Sequence, residues 1–168
     1  TRYISVTGVQ TCALPIYLKM IGNASIEGTT EGNSSTATFD MAVNAREFTF
    51  ENFYLGNLIS NLKLRKGHLL FEDIAGAVNK TQYVGHLDVD LAHDRLSGNF
   101  SSPTTELADV AKILDGFYRF PIAIDGSGAA RATVEGPLNF WKLDYKVDSS
   151  FKSVRLAGES FDSLTFNV

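Results

Sequence analysis

His86, Asp88 and Asp90 alternate along one short stretch of the chain, with His93 just beyond. Imidazole and carboxylate groups of this kind bind hard or borderline cations. On an extended strand such side chains share a face but stand roughly 7 Å apart per step. Neighbours can share an ion; all three cannot converge on it. The spacing therefore predicts a solvated strand face opposite Leu87, Val89 and Leu91, and no metal centre. Gly126-Ser127-Gly128-Ala129-Ala130 has the small-residue character of a dinucleotide-binding loop. That loop works only when a helix N-terminus follows to receive the pyrophosphate. Here Ala130, Ala132 and Val134 alternate with Arg131, Thr133 and Glu135, which predicts a strand and no cofactor. No nucleophile elbow, paired-histidine zinc helix or phosphate loop occurs. His68, His86 and His93 have no evident nucleophile partner, and nothing singles out a carboxylate pair among the 19 acids. The chain is expected not to be an enzyme. Asn23, Asn33, Asn79 and Asn99 each open an Asn-x-Ser/Thr triplet, a surface acceptor in secreted eukaryotic proteins. In a chain this rich in Asn, Ser and Thr, such triplets arise by chance.

The elements that carry these residues read as strands. From Thr36 to Arg46, Ala37, Phe39, Met41, Val43 and Ala45 fall on one face and mainly polar residues on the other. The same period of two recurs over His86–Leu91 (Leu87, Val89, Leu91), Lys142–Asp148 (Leu143, Tyr145, Val147) and Asp162–Val168 (Leu164, Phe166, Val168). It marks strands with one apolar and one wet face, the habit of antiparallel sheets. Shorter pieces are Leu18–Ile26, Phe48–Phe50, Leu62–Leu64 and Phe120–Ile124. Turn residues recur at short intervals: Glu31-Gly32-Asn33, Lys66-Gly67, Asn79-Lys80, His93-Asp94, Asp125-Gly126 and Gly136-Pro137. The spacing predicts a meander of hairpins, because parallel strands need longer crossovers. One segment departs from it. Ser102 as N-cap, Pro103 as first helical residue and Leu107, Val110, Ala111 and Leu114 at helical spacing predict one amphipathic helix over Pro103–Asp115, closed by Gly116. Its apolar stripe is expected to pack on the sheet or plug one end of it.

Composition agrees. Of 168 residues, 44% are hydrophobic, 11% aromatic and 20% charged, as in folded water-exposed chains. The net charge of −4 argues against nucleic acid, whose phosphates call for a basic surface. A single cysteine, Cys12, allows no internal disulfide and no thiolate metal site. The opening segment, Thr1–Ile16, stands apart. Its GVQTCALPI stretch resembles a translated sequencing adapter, so residues 1–16 are expected to be a non-native leader and residues 17–168 the protein proper. A secretory signal is the rival reading. It fails because Arg2 is the only basic residue and Thr7, Gln10 and Thr11 interrupt the apolar run.

Residues 47–168 carry a likeness to a known family. Leu96–Phe100 (LSGNF), then the helical segment, then Gly126–Leu138 (GSGAARATVEGPL) resemble the AsmA/TamB-like repeat pattern, in which a small-residue strand ends at a Val-x-Gly-Pro-Leu turn. Ala157–Leu164 resembles the family's following strand start. Leu62–Gly67, Asp73–Gly76, Tyr83–Gly85 and Leu87–Leu91 are similar to its upstream strand rhythm. The resemblance implies an all-β, antiparallel, open U-shaped sheet with an apolar inner face. It further implies a non-enzymatic segment that spans the periplasm of a Gram-negative bacterium from an inner-membrane anchor. Such a segment would shield phospholipid acyl chains during transport or outer-membrane biogenesis. Its partners would be those acyl chains, flanking repeats of the same longer chain and outer-membrane components. The family has no catalytic residues to carry over.

The apolar alternation supplies the groove such a protein needs. Phe39, Met41, Val43, Leu87, Val89, Leu91, Leu143, Tyr145, Val147, Leu164, Phe166 and Val168 are the candidate groove residues. The same alternation also describes the core of a structural or adhesin-like β-sandwich. A closed lipocalin-like barrel fits less well, since the helix falls in mid-chain. A trough leaves a large apolar surface open, whereas a sandwich covers it.

Overall fold

A computed structural model describes residues 2–9, 19–32, 36–116 and 118–167. They form ten strands: β1 (Arg2–Val9), β2 (Met20–Glu31), β3 (Thr38–Phe50), β4 (Phe53–Arg65), β5 (His68–Val78), β6 (Thr81–Asp90), β7 (Arg95–Glu106), β8 (Ile124–Pro137), β9 (Asp144–Leu156) and β10 (Glu159–Asn167). One α-helix, α1 (Leu107–Leu114), connects β7 to β8, and a single 3-10 turn, Phe140–Lys142, precedes β9. Every strand pairs antiparallel with its neighbours in sequence, so the sheet order is the chain order. The sheet stays open: β1 and β10 are its two edges and do not pair with each other. This is the all-β meander with one short helix that the alternation predicts. Among the described residues there is no second sheet, which removes the sandwich, and no closure, which removes the barrel.

Cross-strand partners share a face, so the register lays out the inner surface in rows. Thr30, Phe39, Leu64, Leu69, Val89, Leu96 and Gly136 follow one another across the sheet. The next row runs Gly28, Met41, Leu62, Phe71, Leu87, Gly98, Val134 and Tyr145. In the first row Leu69, Val89 and Leu96 are buried and form one core, against which Phe39, Leu91, Leu138 and Leu143 pack. A second core, Leu107, Phe151 and Val154, lies where α1 meets the sheet. Two glycines on this face are covered by larger neighbours. A Cβ at Gly76 would fall 2.3 Å from the Tyr83 ring, and one at Gly85 2.5 Å from the Phe100 ring.

Regularity differs along the strands. Each pairing from β2–β3 to β8–β9 contains a register shift, and each shift lies in mid-strand or towards the end that carries α1. Bulges add a residue on one strand and bend it. They also explain two departures from the sequence reading. Pro103 does not start the helix; it belongs to β7, at the break between Ser102 and Thr105, where no partner asks for the N–H it lacks. The helix begins four residues later, at Leu107. Asp125-Gly126 is likewise a bulge inside β8 and not a turn. Gly126 has φ +147, and a Cβ there would sit 3.1 Å from both Leu107 and Val154, so the glycine lets the helix seat. Phe120–Ile122, read as part of a strand, belongs to the loop ahead of β8, which starts at Ile124. Gly136-Pro137, read as a turn, instead forms the end of β8, paired with Leu96 and Arg95, while turns fall as read at Lys66-Gly67, Asn79-Lys80 and His93-Asp94.

Arg2–Val9, within the segment expected to be a leader, pairs with β2 from Arg2 opposite Thr30 to Val9 opposite Asn23. Such pairing uses main-chain groups that any extended segment can offer to a free edge. It is therefore independent of where the segment comes from. Cys12, Pro15, Asn33 and Val168 lie outside the described residues.

Candidate functional site

The apolar face borders an open hollow of about 800 Å³. Side chains from eight strands, β2 to β9, line it together with α1. Its lining is mainly hydrocarbon and aromatic and includes Phe48, Phe50, Phe53, Leu58, Phe71 and Phe100. This follows from the pleat: one face of each strand is apolar, and without a second sheet nothing in the described chain covers the middle of that face.

The polar groups that reach this face are mostly occupied in shaping it. Ser60 donates its hydroxyl hydrogen to the Glu72 carbonyl at 2.8 Å, closing the bulge between β4 and β5. Thr105 donates to the Ser102 hydroxyl at 2.7 Å beside the Pro103 bulge. Tyr83 lies over Gly76 and donates to the Leu55 carbonyl at 2.7 Å. Burial pushes its phenol well above the ordinary tyrosine range, and burial raises Tyr145 as well. Both stay neutral at physiological pH, so neither adds charge to the hollow.

The helix is one wall, with Val110, Ile113 and Leu114 facing the hollow. Its position is set by Asp109, a buried acid. One carboxylate oxygen accepts from the Asn79 side chain at 2.7 Å; the other accepts from the Lys80 and Thr81 amides at 3.0 and 2.9 Å. Burial alone would raise this carboxyl, but the hydrogen bonds from Asn79, Thr81 and Lys80 outweigh it and hold it below the usual range. Thr81 completes the joint: its hydroxyl accepts the amide of Glu106, the residue that caps the start of α1, at 2.9 Å. On the far side, the Lys112 ammonium lies 4.4 Å from the Tyr54 ring centre. Asn79, noted above as a possible glycan acceptor, is thus a structural tie between the β5–β6 turn and α1.

The histidines and acids sit on the opposite face, where His68 lies between Asp88 and Asp90 and Asp90 is shared with His93. His68 meets Asp88 at 2.9 Å, His93 meets Asp90 at 2.7 Å, and His86 faces Asn99 at 3.2 Å. The bond and charge of Asp88 raise the His68 pKa. The His93 bond lowers that of Asp90. Among the described residues no group of three or more such side chains is placed to hold a metal ion.

Of the candidate groove residues, Phe39, Val43, Leu87, Leu143, Tyr145 and Val147 line the hollow. Met41 shares their face but folds over Gly28. Val89 is 1% exposed, locked in the core with Leu91 against it. Leu164 packs on the second core, and Phe166 lies at the β10 edge, opposite Ser149. The sequence reading missed Phe53, Leu58, Tyr83, Phe100 and the helix residues as contributors. Phe53 and Leu58 could have been found by carrying the alternation through the β3–β4 hairpin; the bulges broke the period before it reached them. Among the described residues no helix is long and apolar enough to cross a membrane.

Fold and hollow together define a class: an open antiparallel meander whose apolar face is walled by a helix and left uncovered. Compared with protein-family models, curated proteins and solved structures, the chain matches none.

Proposed function

We propose that the protein shields lipid acyl chains in this hollow, acting by binding and not by catalysis. The observation that carries the proposal is the shared apolar lining of β2 to β9 around about 800 Å³ of open space. An acyl chain loses about 0.8 kcal/mol for each methylene exposed to water. A continuous hydrocarbon surface removes that loss without any group specific to one lipid. The AsmA/TamB-like pattern in residues 47–168 supports the same reading. On it, the chain works in the periplasm of a Gram-negative bacterium, anchored at the inner membrane, in phospholipid transport or outer-membrane biogenesis. Flanking repeats and outer-membrane components would be its neighbours.

The test is mass spectrometry of lipids that co-purify with the full chain. Phospholipid is expected on the wild type. Leu58→Gln with Val147→Asn, which place amides on the hollow's surface, are expected to lose it while keeping the wild-type circular dichroism spectrum. A folded, lipid-free wild type would sink the proposal.

A further inference from the structure

The loop leaving α1 carries an exposed apolar cluster. Tyr118, Phe120 and Ile122 are 59%, 39% and 43% exposed. Tyr118 and Phe120 meet edge to face with ring centres 5.3 Å apart. The Tyr118 amide donates to the Leu114 carbonyl at 3.0 Å, which ties the pair to the last turn of a helix that lines the hollow. The charge between them is neutralised, because Arg119 is paired with Asp115 at 3.2 Å. Ile21 and Phe161, also exposed, lie near the same ends of their strands. Single exposed apolar residues are ordinary; a cluster beside an apolar cavity is not.

We propose that the 118–122 loop docks the protein on a zwitterionic phospholipid surface, which brings the edge of the hollow against the lipid it takes up. The proposal rests on the lipid-binding reading above. Aromatic rings with an apolar neighbour settle at the boundary between headgroups and acyl chains. Anionic lipid is disfavoured: the chain carries a net charge of −4, and the loop's arginine already has its carboxylate. The occupant is further indicated by continuity, since the loop runs directly from the Leu114 wall of the hollow.

Flotation of the full chain with phosphatidylcholine vesicles tests it. The wild type is expected to float, and no better when phosphatidylglycerol is added. Combining Tyr118→Ser, Phe120→Ser and Ile122→Ser is expected to weaken vesicle binding by about ten-fold or more. The same variant should bind a water-soluble fatty acid as the wild type does, since none of the three residues lines the hollow. Phe120→Trp in a Trp141→Phe background gives a second readout: its emission should shift to the blue on adding vesicles. Equal flotation of both proteins, no spectral shift, or a loop variant that changes only self-association would overturn the docking proposal. Fatty-acid binding without vesicle binding removes this inference alone. Absence of both removes the lipid reading beneath it.

Discussion

The two ends of the sheet are built differently. At the end away from α1, register runs unbroken across neighbouring strands, and Leu69, Val89 and Leu96 close on each other. At the helix end, bulges interrupt the pairings, and a helix held by one carboxylate packs Leu107 on Phe151 and Val154. Regular register lets facing side chains fill their own gaps and stabilise the fold. Broken register bends the strands and leaves space for something else. The difference teaches that each end seals a core in its own way, and that the bulged end also seats the helix that walls the hollow.

The comparison can be broken by mutation. Leu69→Ala, in the regular half, is expected to lose about 3 kcal/mol, as a buried leucine truncation that leaves a cavity. Urea denaturation measures it. Asp109→Ala leaves the Asn79 amide and two backbone amides without their acceptor, and about 2 kcal/mol should follow. The depressed Asp109 pKa gives the sign of its pH dependence: its contribution is present above the ordinary carboxylate range and fades as pH falls through the lowered value. The variant should therefore fall furthest below the wild type at neutral pH and converge with it in acid. Phe48→Ala, on the hollow, is expected to lose about 2 kcal/mol, less than Leu69→Ala, because Phe48 is only partly buried; co-purifying lipid should fall all the same. A larger loss would mean that the hollow is core after all.

The smallest effect belongs to the outer face. His68 is raised by Asp88, so the pair stabilises below the ordinary histidine value of 6.5 and fades as pH rises through the higher folded value. His68→Asn should differ from the wild type in acid thermal melts and match it at alkaline pH.

Much of the sheet was legible because period-two alternation reports burial directly. Leu87 and Val89 show the limit of that signal. They point to one face, yet Leu87 lines the hollow while Val89 is sealed in the core. Alternation gives the face; depth depends on which cross-strand neighbours are large. Pro103 and Gly126 misled for a related reason. Each breaks regular structure locally, and the sequence alone does not say whether the break becomes a helix start, a turn or a bulge. Partners elsewhere decide that. For Gly126 they are Leu107 and Val154, and for Asp109 they are Asn79–Thr81, roughly thirty residues away.

The strand order has a consequence for folding. Since each strand pairs its backbone only with its predecessor and successor, every pairing joins segments close in sequence, and chains with local contacts fold quickly. The sheet behaves as a linear array in which stability is a sum over adjacent interfaces. Such an array has no single nucleus that must form first. It melts by fraying inward from its rims, so amide hydrogen exchange should be slowest in β5 to β7 and fastest in β10.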